Sequence, residues 1–139
     1  MGIEGLFMEW IVRALKPGKK AFIVVPDGIM NRSNDKKLRD FILGQCDIDA
    51  VISLPLNTFF TTYILALTKK IPLNVGGIPT LPKQISPVFT YLCSEIGETR
   101  DVYRFDIEQN DLEAASDLFN MFKGAKIKFR TDDPRCKII

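Results

Sequence analysis

Histidine is absent from all 139 residues. That absence excludes Ser-His and Cys-His nucleophile pairs, imidazole acid/base catalysis and the usual zinc ligand sets. Proton transfer would have to fall to carboxylates, Lys or Tyr. Cysteine is scarce: Cys46, Cys93 and Cys136 are far apart and odd in number. Neither a disulfide framework nor a C-x-x-C pair is expected, and each thiol reads as a small buried apolar group. No metal site is expected. Long apolar runs are missing too, since residues 21–25 fall far short of a membrane span. Residues 1–4 lack the basic start and apolar run of a signal peptide. Leu6 stands where a myristoylation signal needs Ser or Thr. A cytoplasmic protein with no membrane partner is expected. A net charge of +2 is too weak to argue for nucleic acid by bulk electrostatics.

What remains is the composition of a soluble globular chain, 46% hydrophobic and 26% charged, about one domain long. Residues 4–15 place Leu6, Phe7, Trp10, Ile11, Ala14 and Leu15 at helical spacing, a broad stripe expected to face the core. Lys16-Pro17-Gly18 stops that helix. Ala21-Phe22-Ile23-Val24-Val25 follows, β-rich and without alternation, the pattern of a strand covered on both faces. Pro26-Asp27-Gly28 closes it. A helix over residues 35–44 is expected, capped by Ser33 or Asn34, with Leu38, Phe41 and Ile42 inward. Residues 49–54 make a second apolar strand ending in Pro55, and residues 63–68 a third. The link between them is too short for a crossover, so these two strands should be antiparallel neighbours.

Residues 71–87, rich in Pro and Gly, read as a loop or linker. Residues 88–93 return to a strand pattern, and residues 102–105 suggest another. Asn110 with Glu113 three positions on is a capping-box start. The helix it opens turns Leu112, Ala115, Leu118, Phe119 and Phe122 inward, and the charged tail from Lys126 should fray. Three parts result: 1–70 as the main sheet portion, 71–87 as the connection, and 88–139 as strands plus a helix on the same domain.

The pairing of Phe22-Ile23-Val24-Val25-Pro26-Asp27-Gly28, preceded by Leu15-Lys16-Pro17-Gly18, with Ala50-Val51-Ile52-Ser53-Leu54-Pro55 and Asn57-Thr58-Phe59 resembles the modification subunit of type I restriction-modification systems. These are N6-adenine DNA methyltransferases. The resemblance implies an α/β fold, the C-terminal half of a Rossmann-like, S-adenosylmethionine-dependent methyltransferase sheet. It would be mostly parallel, with one antiparallel strand inserted between two co-directional ones and helices packed on it. It also implies S-adenosylmethionine as cofactor of the intact protein, and DNA with specificity and restriction subunits as partners. Two departures limit the activity expected. No G-x-G occurs, and no two prolines adjoin. The family's cofactor loop and Asn-Pro-Pro-Tyr/Phe motif therefore have no counterpart. The chain alone is expected to be catalytically incompetent, with no catalytic and no cofactor-binding residue, and no cofactor bound tightly.

Substrate-facing candidates cluster at the ends of the first two strands. Phe59 or Phe60 could stack on a flipped base, an interaction worth roughly 1–3 kcal/mol per base, or could simply cover the sheet. Asp27 and Gly28 could wall a pocket, or serve a tight turn that bonds Asp27 to backbone amides. Asn57, with Thr58, Thr61 and Thr62, could bond a base or phosphate, or be solvated loop. Arg32, Lys36, Lys37 and Arg39 could hold DNA phosphates, or form a wet helix face. A competing reading is non-enzymatic: an assembly module that docks, or self-associates, through an exposed sheet edge. A methyltransferase relative acting on RNA or protein is a further possibility, because fold alone does not fix the substrate.

Overall fold

A computed structural model describes residues 2–55, 62–94, 96–98 and 106–139, excepting the side chains of 96–98, 106, 107 and 109. Helix α1 (Ile3–Ala14) leads to strand β1 (Lys20–Pro26), a short helix α2 (Asp27–Asn31), a 3-10 turn at Ser33–Asp35 and helix α3 (Lys36–Gln45). Strand β2 (Cys46–Ser53) follows α3 directly, and β3 (Thr62–Lys69) returns beside it. Next come β4 (Leu73–Val75), β5 (Ile78–Thr80), β6 (Phe89–Leu92), β7 (Ile96–Glu98), β8 (Asp106–Asn110), helix α4 (Asp111–Gly124) and β9 (Cys136–Ile138).

Five strands form the main sheet in the order β1-β3-β2-β6-β9. β3 is antiparallel to both β1 and β2, so β1 and β2 run the same way with a reversed strand lodged between them. The expected insertion is therefore present. β6 joins parallel to β2. β9 adds a second reversed strand at the far edge, paired from Phe89↔Ile138 to Tyr91↔Cys136. The tail does not fray as its charge suggests.

Two reasons hold the tail. Phe129 is buried beside Phe89 and Phe122, with ring centroids 6.2 Å and 5.7 Å away. Arg135 also bonds Asp133 through Nε at 3.1 Å and Asp111 through Nη1 at 2.5 Å, while the Tyr91 hydroxyl donates to Asp133 at 2.9 Å.

Each face of the sheet carries its own core. On one, α1, α2 and α3 bury Met8, Val12, Ile29, Leu38 and Ile42 against Val25, Leu65 and Leu67. On the other, α4 lays Ala115, Phe119 and Phe122 on Ala50, Ala66 and Phe89. Alanines on the central strands leave room for this aromatic cluster. Asn110 caps α4 as expected, its Oδ1 accepting from the Leu112 amide at 3.0 Å. The α3 cap differs: Asp35 precedes the helix, and no side chain of the turn caps it.

Two expectations about covering need correction. The inward residues of α1 are Gly5, Met8 and Val12, whereas Leu6, Phe7 and Trp10 are 56%, 61% and 68% exposed. At about 100° per residue these sets lie on opposite sides of the helix. A helix with apolar residues on two opposite sides offers periodicity no unique inward face. β1 is likewise covered on one face only. Val25 is buried, but Phe22 and Val24 are 62% and 64% exposed because β1 is the sheet's edge. Phe119 meets Phe22 only edge-on at 6.5 Å.

Within residues 71–87, β4 and β5 pair around Gly76 and Gly77, both at positive φ. Two such residues suit a tight hairpin turn. Further on, Gln84 brackets Ile48, accepting from its amide at 2.7 Å and donating to its carbonyl at 2.8 Å. That pins the connection to β2 where the ladder with β3 shifts register. β7 and β8 form a separate two-stranded pair, and residues 102–105 lie outside the described residues. Among the described residues no helix is long and apolar enough to cross a membrane.

The Asp133 carboxyl has a pKa held down to about 2, chiefly by hydrogen bonds from Arg135. An unfolded Asp titrates near 3.9. A lowered folded pKa contributes stability above the unfolded value and loses it as pH falls. The midpoint of urea unfolding should therefore decline between about pH 4 and pH 2, and Asp133→Asn should flatten that decline. An unchanged slope in the variant would remove Asp133 from the account.

Candidate functional site at the carboxyl ends of the strands

In open α/β sheets, ligands lie beyond the carboxyl ends of the parallel strands. Here those ends are Pro26-Asp27 of β1, Ser53-Leu54-Pro55 after β2, and Leu92-Cys93 after β6. The Cys93 amide donates to the Ser53 carbonyl at 2.9 Å, and the Leu54 amide to the Thr62 carbonyl at 2.9 Å, which ties the ends of β6 and β2 to the start of β3, itself paired with Pro26 of β1.

Asp27 opens α2 rather than a tight turn, and Gly28 is helical with no positive φ. Asp27 is bonded by side chains. The Tyr63 hydroxyl donates to its Oδ1 at 3.0 Å, and the Asn31 amide to its Oδ2 at 3.3 Å. Partial burial, followed by the Asp27 carboxylate, pushes the Tyr63 hydroxyl above its ordinary pKa. Tyr63 therefore stays a donor at neutral pH and fastens the start of β3 to the end of β1.

Gly28 serves a close approach. A Cβ there would lie 2.6 Å from Arg32 Nε. Arg32 in turn pairs with Asp35 at 2.9 Å, a carboxylate only 2% exposed.

The four cations considered for phosphate binding do not form one free patch. Arg32 is committed to Asp35, and Lys36 bonds Asp40 at 2.7 Å. Arg39 Nη1 donates to the carbonyls of Ile29 at 2.9 Å and Arg32 at 2.7 Å. Lys37 is exposed. The candidates Asn57, Phe59 and Phe60, with Thr58 and Thr61, lie outside the described residues.

Beside Ser53 and Tyr63 a cleft of about 380 Å³ opens, lined also by Val51, Thr90, Leu92 and Lys137. Its wall includes Arg135, whose guanidinium lies 5.4 Å from the Tyr91 ring centroid. Sequence reasoning missed this tail contribution. The available signal was Arg135 two residues from Asp133, in a segment where Phe129 alone marked burial. The thiols offer no nucleophile: burial raises Cys93 to about 11 and also raises Cys46 and Cys136. Among the described residues no cluster could hold a metal ion.

The Gly28–Arg32–Asp35 arrangement yields a coupling prediction. Gly28→Ala should displace Arg32 and leave Asp35 buried without its ion pair, at a cost of about 1 kcal/mol by urea unfolding. In an Arg32→Met background the same substitution should cost little more, a non-additivity expected of groups in contact. Fully additive effects would show that Arg32 is not what Gly28 accommodates.

The family model described as N-6 DNA Methylase matches residues 3–132. A solved structure described as the basis of complex assembly and conformational transition of the type I R-M system is similar at TM-score 0.69 and 21% identity. That match covers 98% of this chain and 28% of the other. The EcoKI M protein of a type I restriction enzyme is similar at TM-score 0.52 and 25% identity, covering 66% of this chain and 19% of its own. This chain thus spans less than a third of either relative. A comparison with curated proteins gave no match. With a reversed strand between two co-directional ones and a family match over nearly its whole length, the chain belongs to the N-6 DNA methylase family.

Proposed function

We propose that this chain is the distal part of the catalytic domain of a type I modification subunit. The intact protein would transfer a methyl group from S-adenosylmethionine to adenine N6 in DNA, inside a cytoplasmic complex with specificity and restriction subunits. The observation that carries the reading is the reversed β3 between β1 and β2, seen with the family match over residues 3–132. In this reading Asp27, held by Tyr63 and Asn31, walls the pocket at the end of β1. Phe59, Phe60 and Asn57 supply base contacts from the link after Pro55. Phosphate contact falls to Lys37, since Arg32, Lys36 and Arg39 already bond protein groups. The cofactor loop and the Asn-Pro-Pro motif come from elsewhere, because the sequence has no G-x-G and no adjacent prolines.

A docking role follows from the same reading. The free edge of β1, with Phe22 and Val24 beside it, and the outward stripe of α1 leave large apolar side chains exposed. Unpaired edges and contiguous apolar patches are sites of association. They form the seam against which the cofactor-binding strands pack, and the isolated chain self-associates through it.

Isothermal titration tests the catalytic part: the isolated chain should give no micromolar binding of S-adenosylmethionine, and such binding would overturn the division of labour. Light scattering tests the seam. The apparent mass should rise with concentration, and Phe22→Lys with Val24→Lys should hold the chain monomeric. A wild-type chain that stays monomeric throughout would count against it.

A further inference from the structure

Helices α1, α2 and α3 cover only part of the sheet face on which they lie. Val51 of β2 packs against the core beneath them. Directly paired residues share a face. Thr90 and Leu92, opposite Val51 and Ser53, therefore lie on that face, as does Lys137, opposite Thr90. Among the described residues, none in the core beneath these helices comes from β6 or β9. Leu92 is 58% exposed. The cleft of about 380 Å³ opens over this bare part of the sheet.

Its lining is one-sided in charge. The described lining residues include Arg135 and Lys137 but no carboxylate. Arg135 is held by Asp133 and Asp111. The exposed Lys137 ammonium and the Ser53 hydroxyl have no hydrogen-bond or ion-pair partner among the described residues. Ordinary ligand sites span about 300–1,000 Å³ and combine an apolar lining with a few polar groups. This cleft suits an anion with a less polar body, the two free donors meeting the charge and Val51 and Leu92 the rest.

Continuity decides which anion. Tyr63 lines this cleft, and its hydroxyl bonds Asp27 at 3.0 Å. The cleft thus adjoins the pocket proposed above for a flipped base. A DNA strand entering that pocket brings its neighbouring phosphates and sugars with it, and phosphate contacts are what fix a strand's register.

We propose that the cleft holds a nucleotide flanking the target adenine, its phosphate on Lys137 and its sugar against Leu92 and Val51. The inference rests on the reading of the chain as part of a DNA methylase, and adds to it a subsite contributed by the tail strand β9.

NMR titration of the 139-residue chain with a 5′-phosphorylated thymidine dinucleotide tests the subsite. The ligand should shift the side-chain signals of Val51, Thr90 and Leu92, with a dissociation constant of about 1 mM, as suits a small ligand in an open cleft. Lys137→Gln should weaken binding roughly threefold and lower the slope of log affinity against log salt by about 0.7, the value for one phosphate contact on a single strand. Lys83→Gln, beside Gln84 at the amino end of β2, should change neither. Tetraglutamate should shift the three signals less at every concentration.

Four results would overturn the subsite. The dinucleotide might move none of the three signals well above millimolar concentration, or move Tyr63 and Asn31 alone. Lys137→Gln might leave affinity and salt slope unchanged. Tetraglutamate might bind as tightly, which would mark a protein-facing surface. Each leaves the family assignment standing, because that rests on β3 and the match over residues 3–132. The wild-type shift map and its salt dependence decide the matter if a variant fails to fold.

Discussion

The fold depends on β3 being held from both sides. It pairs with β1 from Pro26↔Thr62 to Lys20↔Thr68, and with β2 from Ser53↔Tyr63 to Cys46↔Lys69. Its side chains therefore divide between the two cores: Leu65 and Leu67 enter the one beneath α1 and α3, and Ala66 enters the one beneath α4. A strand flanked on both sides pairs its backbone groups with two neighbours in place of water. Reversing it would require a crossover that the few residues after Pro55 cannot make. The rest of the structure is arranged around this strand.

From that strand outward, the polar contacts fall at the sheet's two ends. At the amino ends, Asp49 is 5% exposed and gathers Lys126 at 3.3 Å, Lys20 at 3.6 Å and the Thr68 hydroxyl. A buried carboxylate needs such partners, and here they tie the segment after α4 to β1 and β3. At the carboxyl ends, Tyr63 and Asn31 hold Asp27 while Arg135 holds Asp133 and Asp111. The second set is structural. The first lies where the family's chemistry is expected, and it fixes the mutual position of the ends of β1 and β3.

Much of this could be read from residues. The reversal of β3 against β2 is legible in the length of one link, its insertion beside β1 only in the family resemblance, and the α4 cap in Asn110 and Glu113. The inward face of α4 followed from apolar spacing that had a polar opposite side. The order of the tail was hidden because Cys136 to Ile138 pairs with a strand some 47 positions away, as in Thr90↔Lys137. Such long-range pairing leaves no local pattern. The position of Asp27 at the end of β1 is legible locally, but its partner Tyr63 is 36 positions distant. Spacing within a loop could not reveal that bond. Gly28 misled in a different way, because glycine next to Asp suggests a turn. Here the glycine is helical, and what it provides is room for Arg32.

α1 poses the sharpest case of what periodicity can and cannot decide. Gly5, Met8 and Val12 form one apolar side, and Ile3, Leu6, Phe7 and Trp10 form the other. The second side is larger and more aromatic, so any measure of apolar area would turn it inward. On the smaller side Met8 and Val12 enter the core with Leu38 and Ile42 of α3, and Gly5 is buried on that same side. Trp10 in the same place would have to be accommodated within a core already filled by Leu38 and Ile42, and overpacking costs about 1–3 kcal/mol. Burying Leu6, Phe7 and Trp10 elsewhere would be worth about 1.5–3 kcal/mol for each residue of that size. A helix that forgoes that gain inside its own chain retains it for whatever surface meets its outer side. The outward stripe of α1 is thus apolar area that its own chain leaves unburied, which is why the proposed seam includes it.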